Sequence, residues 1–207
     1  MKKPKGKAAL PLFEKLLAFD SGTEAEKTFD WLYLPHPAER TPEEANIHNY
    51  LVRNCQTNKA TFSTVKRDCD CDKDIYNHEA TINKRSRALE FDFYLPKYHV
   101  AIEFDELQHF SMERHATYEL YPVDGFSYDI QNWQKLCLKH AKCDTDPPCR
   151  DWKRAFRDTV RDLRARKEGL PLIRLYVKDF NADALKSTDT LNKLHSTIEE
   201  ASKCIRV

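Results

Sequence analysis

Asp92 and Glu103 are the residues whose types and spacing point most directly to chemistry. Asp92 lies where Leu89, Phe91 and Phe93 alternate with Glu90, Asp92 and Tyr94 at the strand period of two, and Glu103 follows a second apolar run, Val100-Ala101-Ile102. Pro96 between them favours a turn, because its ring presets φ and steers Leu95 away from helix. Strands this close in sequence pair most simply as an antiparallel hairpin. Glu90, Asp92 and Tyr94 then share a face of the first strand, and Ala101, Glu103 and Asp105 share a face of the second. Pairing can set Asp92 opposite Glu103. Like charges placed opposite one another destabilise a sheet, and a divalent cation with hard oxygen ligands would neutralise them. Asp105 offers a further carboxylate to the same ion. The competing reading is a solvated acidic face on an exposed hairpin.

FDFYLP, then IEFD, then QH resembles the core of the PD-(D/E)XK nuclease superfamily, in the branch of very-short-patch-repair mismatch endonucleases and related homing endonucleases. Members carry an Asp in the first strand, a Glu in the second, and a Gln or His soon after. Asp92, Glu103, Gln108 and His109 stand at those positions. Asp105 stands where typical members have the catalytic Lys, and Glu106 where this branch has a Gly, so a lysine-based mechanism is not expected. Positioning or deprotonating the nucleophile falls to His109 or Gln108, and a His of near-neutral pKa suits a general base. The resemblance implies an α/β, restriction-endonuclease-like mixed sheet flanked by helices. It also implies a DNA endonuclease using Mg²⁺ or Mn²⁺, held chiefly by Asp92 and Glu103.

Two other stretches extend the resemblance, which covers residues 40–56, 88–110 and 155–180. Thr41-Pro42-Glu43-Glu44 is a helix start with Thr41 as N-cap and Glu44 at the capping-box position. Glu44 also matches the Glu that an early helix presents to the active site in the family, and the two roles stand side by side. RDTVRDLRARKEGLPLIRLYV resembles the family's closing helix and strand, and its Asp158 matches the Asp completing the acidic set.

The elements that must carry these residues follow from periodicity. Trp152, Phe156, Val160 and Leu163 make one apolar stripe of a helix. Lys153, Arg154, Arg157, Arg161 and Arg164 cluster away from it, a face suited to backbone phosphates or to salt bridges with Asp151, Asp158 and Asp162. Lys84, Arg85 and Arg87 precede the first core strand and are a second basic group for DNA. Residues 1–40 read as an N-terminal helical and aromatic extension, and 41–207 as the nuclease-like domain with a loop-rich insertion at about 111–149. That insertion holds Cys137, His140, Cys143 and Cys149, candidate ligands for a structural Zn²⁺, with free thiols as the competing reading. Leu191, Leu194, Ile198 and Ala201 predict a closing amphipathic helix.

Composition sets outer bounds. A chain of 207 residues suffices for one domain with a real core. Its net charge of +1 neither requires nor excludes nucleic acid, since local charge matters more than the sum. Mean hydropathy of −0.73 and the lack of a long apolar run argue against a membrane span. Lys15 and Glu14 break the apolar part of the N-terminus, so an intracellular rather than secreted protein is expected. Seven cysteines with no secretory signal point to reduced thiols or metal rather than a disulfide framework. A homodimer would suit double-strand cleavage and a monomer nicking. Two other classes compete with the enzyme: an inactive nuclease fold that still binds nucleic acid, and a zinc-stabilised interaction module.

Overall fold

Thr41 caps its helix as its sequence predicts: its hydroxyl accepts from the Glu44 N–H at 3.2 Å, and the Glu44 carboxylate accepts from the Thr41 N–H at 3.0 Å. This reciprocal pairing satisfies two of the amides that a helix start leaves without partners. A computed structural model describes residues 2–58, 87–140 and 150–203 of the chain. In chain order its elements are α1 (Leu10–Phe19), β1 (Glu24–Lys27), β2 (Tyr33–Leu34) and α2 (Pro42–Asn58). Then come β3 (Arg87–Ala88), β4 (Phe91–Leu95), β5 (Val100–Asp105), α3 (Met112–Tyr118) and α4 (Ile130–His140). The chain closes with α5 (Arg150–Lys167), β6 (Leu172–Tyr176) and α6 (Thr188–Lys203).

The hairpin forms. Strands β4 and β5 pair antiparallel around the turn at Pro96, with Phe93 opposite Ile102 and Leu95 opposite Val100. The sheet order is β1-β4-β5-β6, with β1 antiparallel to β4 and β6 parallel to β5. A separate two-stranded ladder joins β2 to β3. The result is a mixed α/β architecture with a four-stranded mixed sheet flanked by helices.

Alternation along the strands sorts their side chains into two layers. Phe93, Leu95, Val100, Ile102, Phe104, Ile173 and Leu175 meet Leu12, Phe13 and Leu16 of α1 and Leu194 and Ile198 of α6. On the other side Tyr94, Ala101 and Leu172 pack with Ile47 and Leu51 of α2 and Trp152, Phe156 and Val160 of α5. Every residue of β5 is buried, as befits a central strand covered on both sides. The first 40 residues are woven into this body, since β1 lies beside β4 and α1 fills one layer.

Residues 111–149, expected to be loop-rich, contain α3 and α4. Ser111 caps α3 by accepting from the Arg114 N–H at 3.1 Å. Trp133 and Cys137 are one turn apart on α4 and enter a small cluster with Phe110, Tyr118 and Tyr176. Among the described residues no helix is long and apolar enough to cross a membrane.

Candidate active site

Continuing the β4–β5 register by one residue sets Asp92 opposite Glu103. The parallel β5–β6 register then places Arg174 beside Glu103 and Tyr176 beside Asp105. Asp92, Glu103 and Arg174 therefore form a row across three strands, on the layer that α5 covers. From α5 come Asp158, Arg161 and Asp162, and from the short turn Leu107–His109 after β5 comes His109.

His109 Nδ1 lies 2.9 Å from Asp158 Oδ2 and 3.6 Å from Asp105 Oδ1. Asp158 Oδ1 also accepts from Arg161 Nη1 at 3.1 Å. Arg161 Nε donates to the Glu90 carbonyl at 2.9 Å and stands 3.3 Å from Glu103 Oε1. Because that N–H is aimed at the carbonyl, Glu103 Oε1 receives no hydrogen bond although it is buried. Asp92, half-buried, accepts from the Phe104 N–H at 2.7 Å.

Charge follows from these contacts. Burial pushes the Glu103 carboxyl well above the usual range; Arg161 pulls it back and the Asp92 charge adds to the rise. Asp92 is raised for the same first reason, against the Phe104 N–H and the charges of Arg161 and His109. Burial alone would lower His109, yet the Asp158 carboxylate and its hydrogen bond carry it above its ordinary value. Burial would raise Asp158, and His109, Arg174 and Arg114 hold it well below the carboxylate range. The site thus sets His109 and Asp158, each favouring the other's charged form, beside two acids whose ionisation burial opposes.

An orphaned carboxylate oxygen next to a second acid suits a hard divalent cation, which takes oxygen donors. Asp92 and Glu103 are the residues whose carboxylates would be offered to such an ion. Among the described residues no group of three or more His, Cys, Asp or Glu side chains is arranged to hold a metal.

Asp105 is differently employed. Arg174 Nη1 donates to its two oxygens at 2.7 and 2.9 Å, and Trp133 Nε1 donates to Oδ2 at 2.7 Å. Glu44 is fully buried, with Oε1 taking Arg164 Nε at 2.8 Å while Oε2 serves the Thr41 cap. Its carboxylate belongs to the α2–α5 contact. Gln108 is exposed, bonding Glu106 through Nε2 at 2.9 Å and receiving Arg154 on its carbonyl at 2.7 Å.

The expected basic face of α5 is divided. Arg164 is buried against Glu44 and the Trp31 carbonyl, and Arg161 turns inward to the acids, while Arg154 reaches Gln108 and Asp151. Lys153 and Arg157 are half-buried and have partners of their own. The reason is packing: α2, α3 and the sheet all contact α5, so little of its circumference meets water. Lys84 and Arg85 lie outside the described residues, and Arg87 is placed only as a residue of β3. Cys143 and Cys149 also lie outside. Cys137 is buried, its thiol pushed up to about 12 by burial, and His140 Nε2 meets the Tyr176 hydroxyl at 2.8 Å.

A buried network around Asp162, expected from sequence only as a salt-bridge partner on α5, adjoins these residues. Asp162 Oδ2 accepts from Arg114, from the Tyr121 hydroxyl at 2.7 Å and from the Tyr128 hydroxyl at 2.8 Å, while Oδ1 accepts from Arg174 Nε at 3.0 Å. One signal was available: Arg174 sits in the middle of LIRLY, and a cation inside an apolar strand must find buried partners. No family model, curated protein sequence or solved structure matches the chain.

Proposed function

We propose that the chain is a metal-dependent endodeoxyribonuclease, using Mg²⁺ or Mn²⁺, on a restriction-endonuclease-like sheet. The observation that carries this reading is the juxtaposition of Asp92 and Glu103 on adjacent strands with the His109–Asp158 pair on the same layer. Phosphodiester hydrolysis needs an activated water, neutralised phosphate charge and a stabilised leaving oxygen, and a carboxylate-held divalent ion supplies these when bound. Asp92 and Glu103 hold that ion, their mutual repulsion relieved by it. Asp105 and Glu44 stay outside the ligand set because their oxygens are already engaged.

The chain's own proton chemistry rests on His109. Asp158 accepts from Nδ1, which orients the ring and leaves Nε2 as the second proton-bearing position. With its pKa raised, His109 holds that proton more firmly than a free imidazole, which fits donation to the leaving oxygen better than removal of a proton from water. Asp158 acts through His109 as a positioning residue.

Plasmid DNA incubated with Mg²⁺, Mn²⁺ or EDTA tests the assignment. The parent chain should nick or cut with either metal and be silent in EDTA. Asp92→Asn and Glu103→Gln should each lose at least ~100-fold in rate while keeping the parent's circular dichroism spectrum. Undiminished cutting by both variants would remove Asp92 and Glu103 from the chemistry. The second reading is an inactive nuclease fold that binds nucleic acid, favoured because, among the described residues, no group of three or more His, Cys, Asp or Glu side chains is arranged to hold a metal. Metal-independent plasmid binding with no cleavage would select it.

A further inference from the structure

Three arginines reach the acid layer, and they are not equivalent. Arg174 is 3% exposed and spends its guanidinium on Asp105 and Asp162, while Arg114 is 2% exposed and serves Asp162 and its neighbours. Neither can meet a ligand. The side chain of Arg161 is 18% exposed, and among the described residues its hydrogen bonds use Nε and Nη1, leaving Nη2 without one. Its inner edge spans Glu103, one of the two candidate metal-holding acids, and Asp158, the partner of His109.

Resting on the nuclease reading, we infer that Arg161 is the phosphate-facing cation of the site: Nε and Nη1 hold it against Glu103, Glu90 and Asp158, and Nη2 takes an anionic oxygen of a nucleic-acid backbone. A guanidinium suits this division of labour because its planar fork offers donors in two directions at once, which an ammonium on a single stem does not. Its charge is permanent, so it stays cationic next to acids whose own ionisation is opposed by burial. The site-proximal phosphate contact therefore belongs to one inward-rooted arginine and not to a broad basic face of α5.

Binding of a fluorescent duplex oligonucleotide in EDTA, measured by anisotropy from low to moderate salt, tests this without any cleavage step. The variants are Arg161→Lys, which keeps a charge beside Glu103 and Asp158, and Arg161→Gln, which keeps a hydrogen-bonding side chain. Both are checked by circular dichroism for the parent's fold. Loss of one phosphate contact lowers the slope of log K against log salt by about 0.9 in Arg161→Gln. Arg161→Lys should bind more weakly than the parent but keep most of its slope. Parental slope and affinity in folded variants would overturn the inference, and so would a parent chain with no salt-dependent binding. If slopes change as expected while the parent never cuts plasmid with metal, the nuclease reading fails and the arginine assignment survives. Metal-dependent cutting with unchanged slopes gives the reverse.

Discussion

At the scale of single residues, the pairing of His109 with Asp158 makes a pH-dependent contribution whose sign is fixed by its two partners. The pKa of His109 is raised in the folded chain, so its contribution is complete below the unfolded value of ~6.5 and fades as pH rises through the folded one. The pKa of Asp158 is depressed, so its contribution is complete above an unfolded value of ~3.9 and is lost as pH falls. Urea unfolding of the parent and of His109→Gln in EDTA should therefore differ most between about pH 4 and 6.5. The gap should close on both sides, and one that widens above pH 7 would contradict the pairing. Glu103 shows the opposite economy, a buried acid whose ionised form is disfavoured until something positive approaches, as functional acids often are.

At the scale of elements, α5 is the organiser. Its apolar stripe of Trp152, Phe156 and Val160 is buried, as the spacing predicts, but the flank carrying Asp158, Arg161 and Asp162 also faces inward, onto the strands. Asp162 gathers Arg114, Arg174, Tyr121 and Tyr128, and so ties α3, β6 and the chain following α3 to one helix. Asp162→Ala would leave two buried guanidinium groups short of a counter-charge, a loss on the order of 3–5 kcal/mol. Thermal or urea unfolding followed by circular dichroism measures it, and a loss below ~1 kcal/mol would show that the network is dispensable. Both the hairpin and the α2 cap were legible in sequence because each is a local pattern of a few residues.

At the scale of the whole molecule, the sheet is continuous from β1 at one edge to β6 at the other, with α1 and α6 closing one layer and α2 and α5 the other. Removal of residues 1–27 would strip β1 from β4 and take Leu12, Phe13 and Leu16 out of the core. The truncated chain should fail to fold, seen as collapsed amide dispersion by NMR. A folded fragment would mean that this segment is an appendage. By itself the sequence determined the strand alternation, the turn at Pro96, the Thr41 cap and the amphipathic stripes, all set by near-neighbour sterics and by 2.0- or 3.6-residue periods. Only the tertiary structure decided which charges meet. Asp105 went to Arg174, Glu44 to Arg164, and Arg161 to Glu103 and Asp158, because a buried charge takes whichever opposite charge the packing brings within reach. No local spacing encodes an encounter between residues 120 positions apart, such as Glu44 with Arg164.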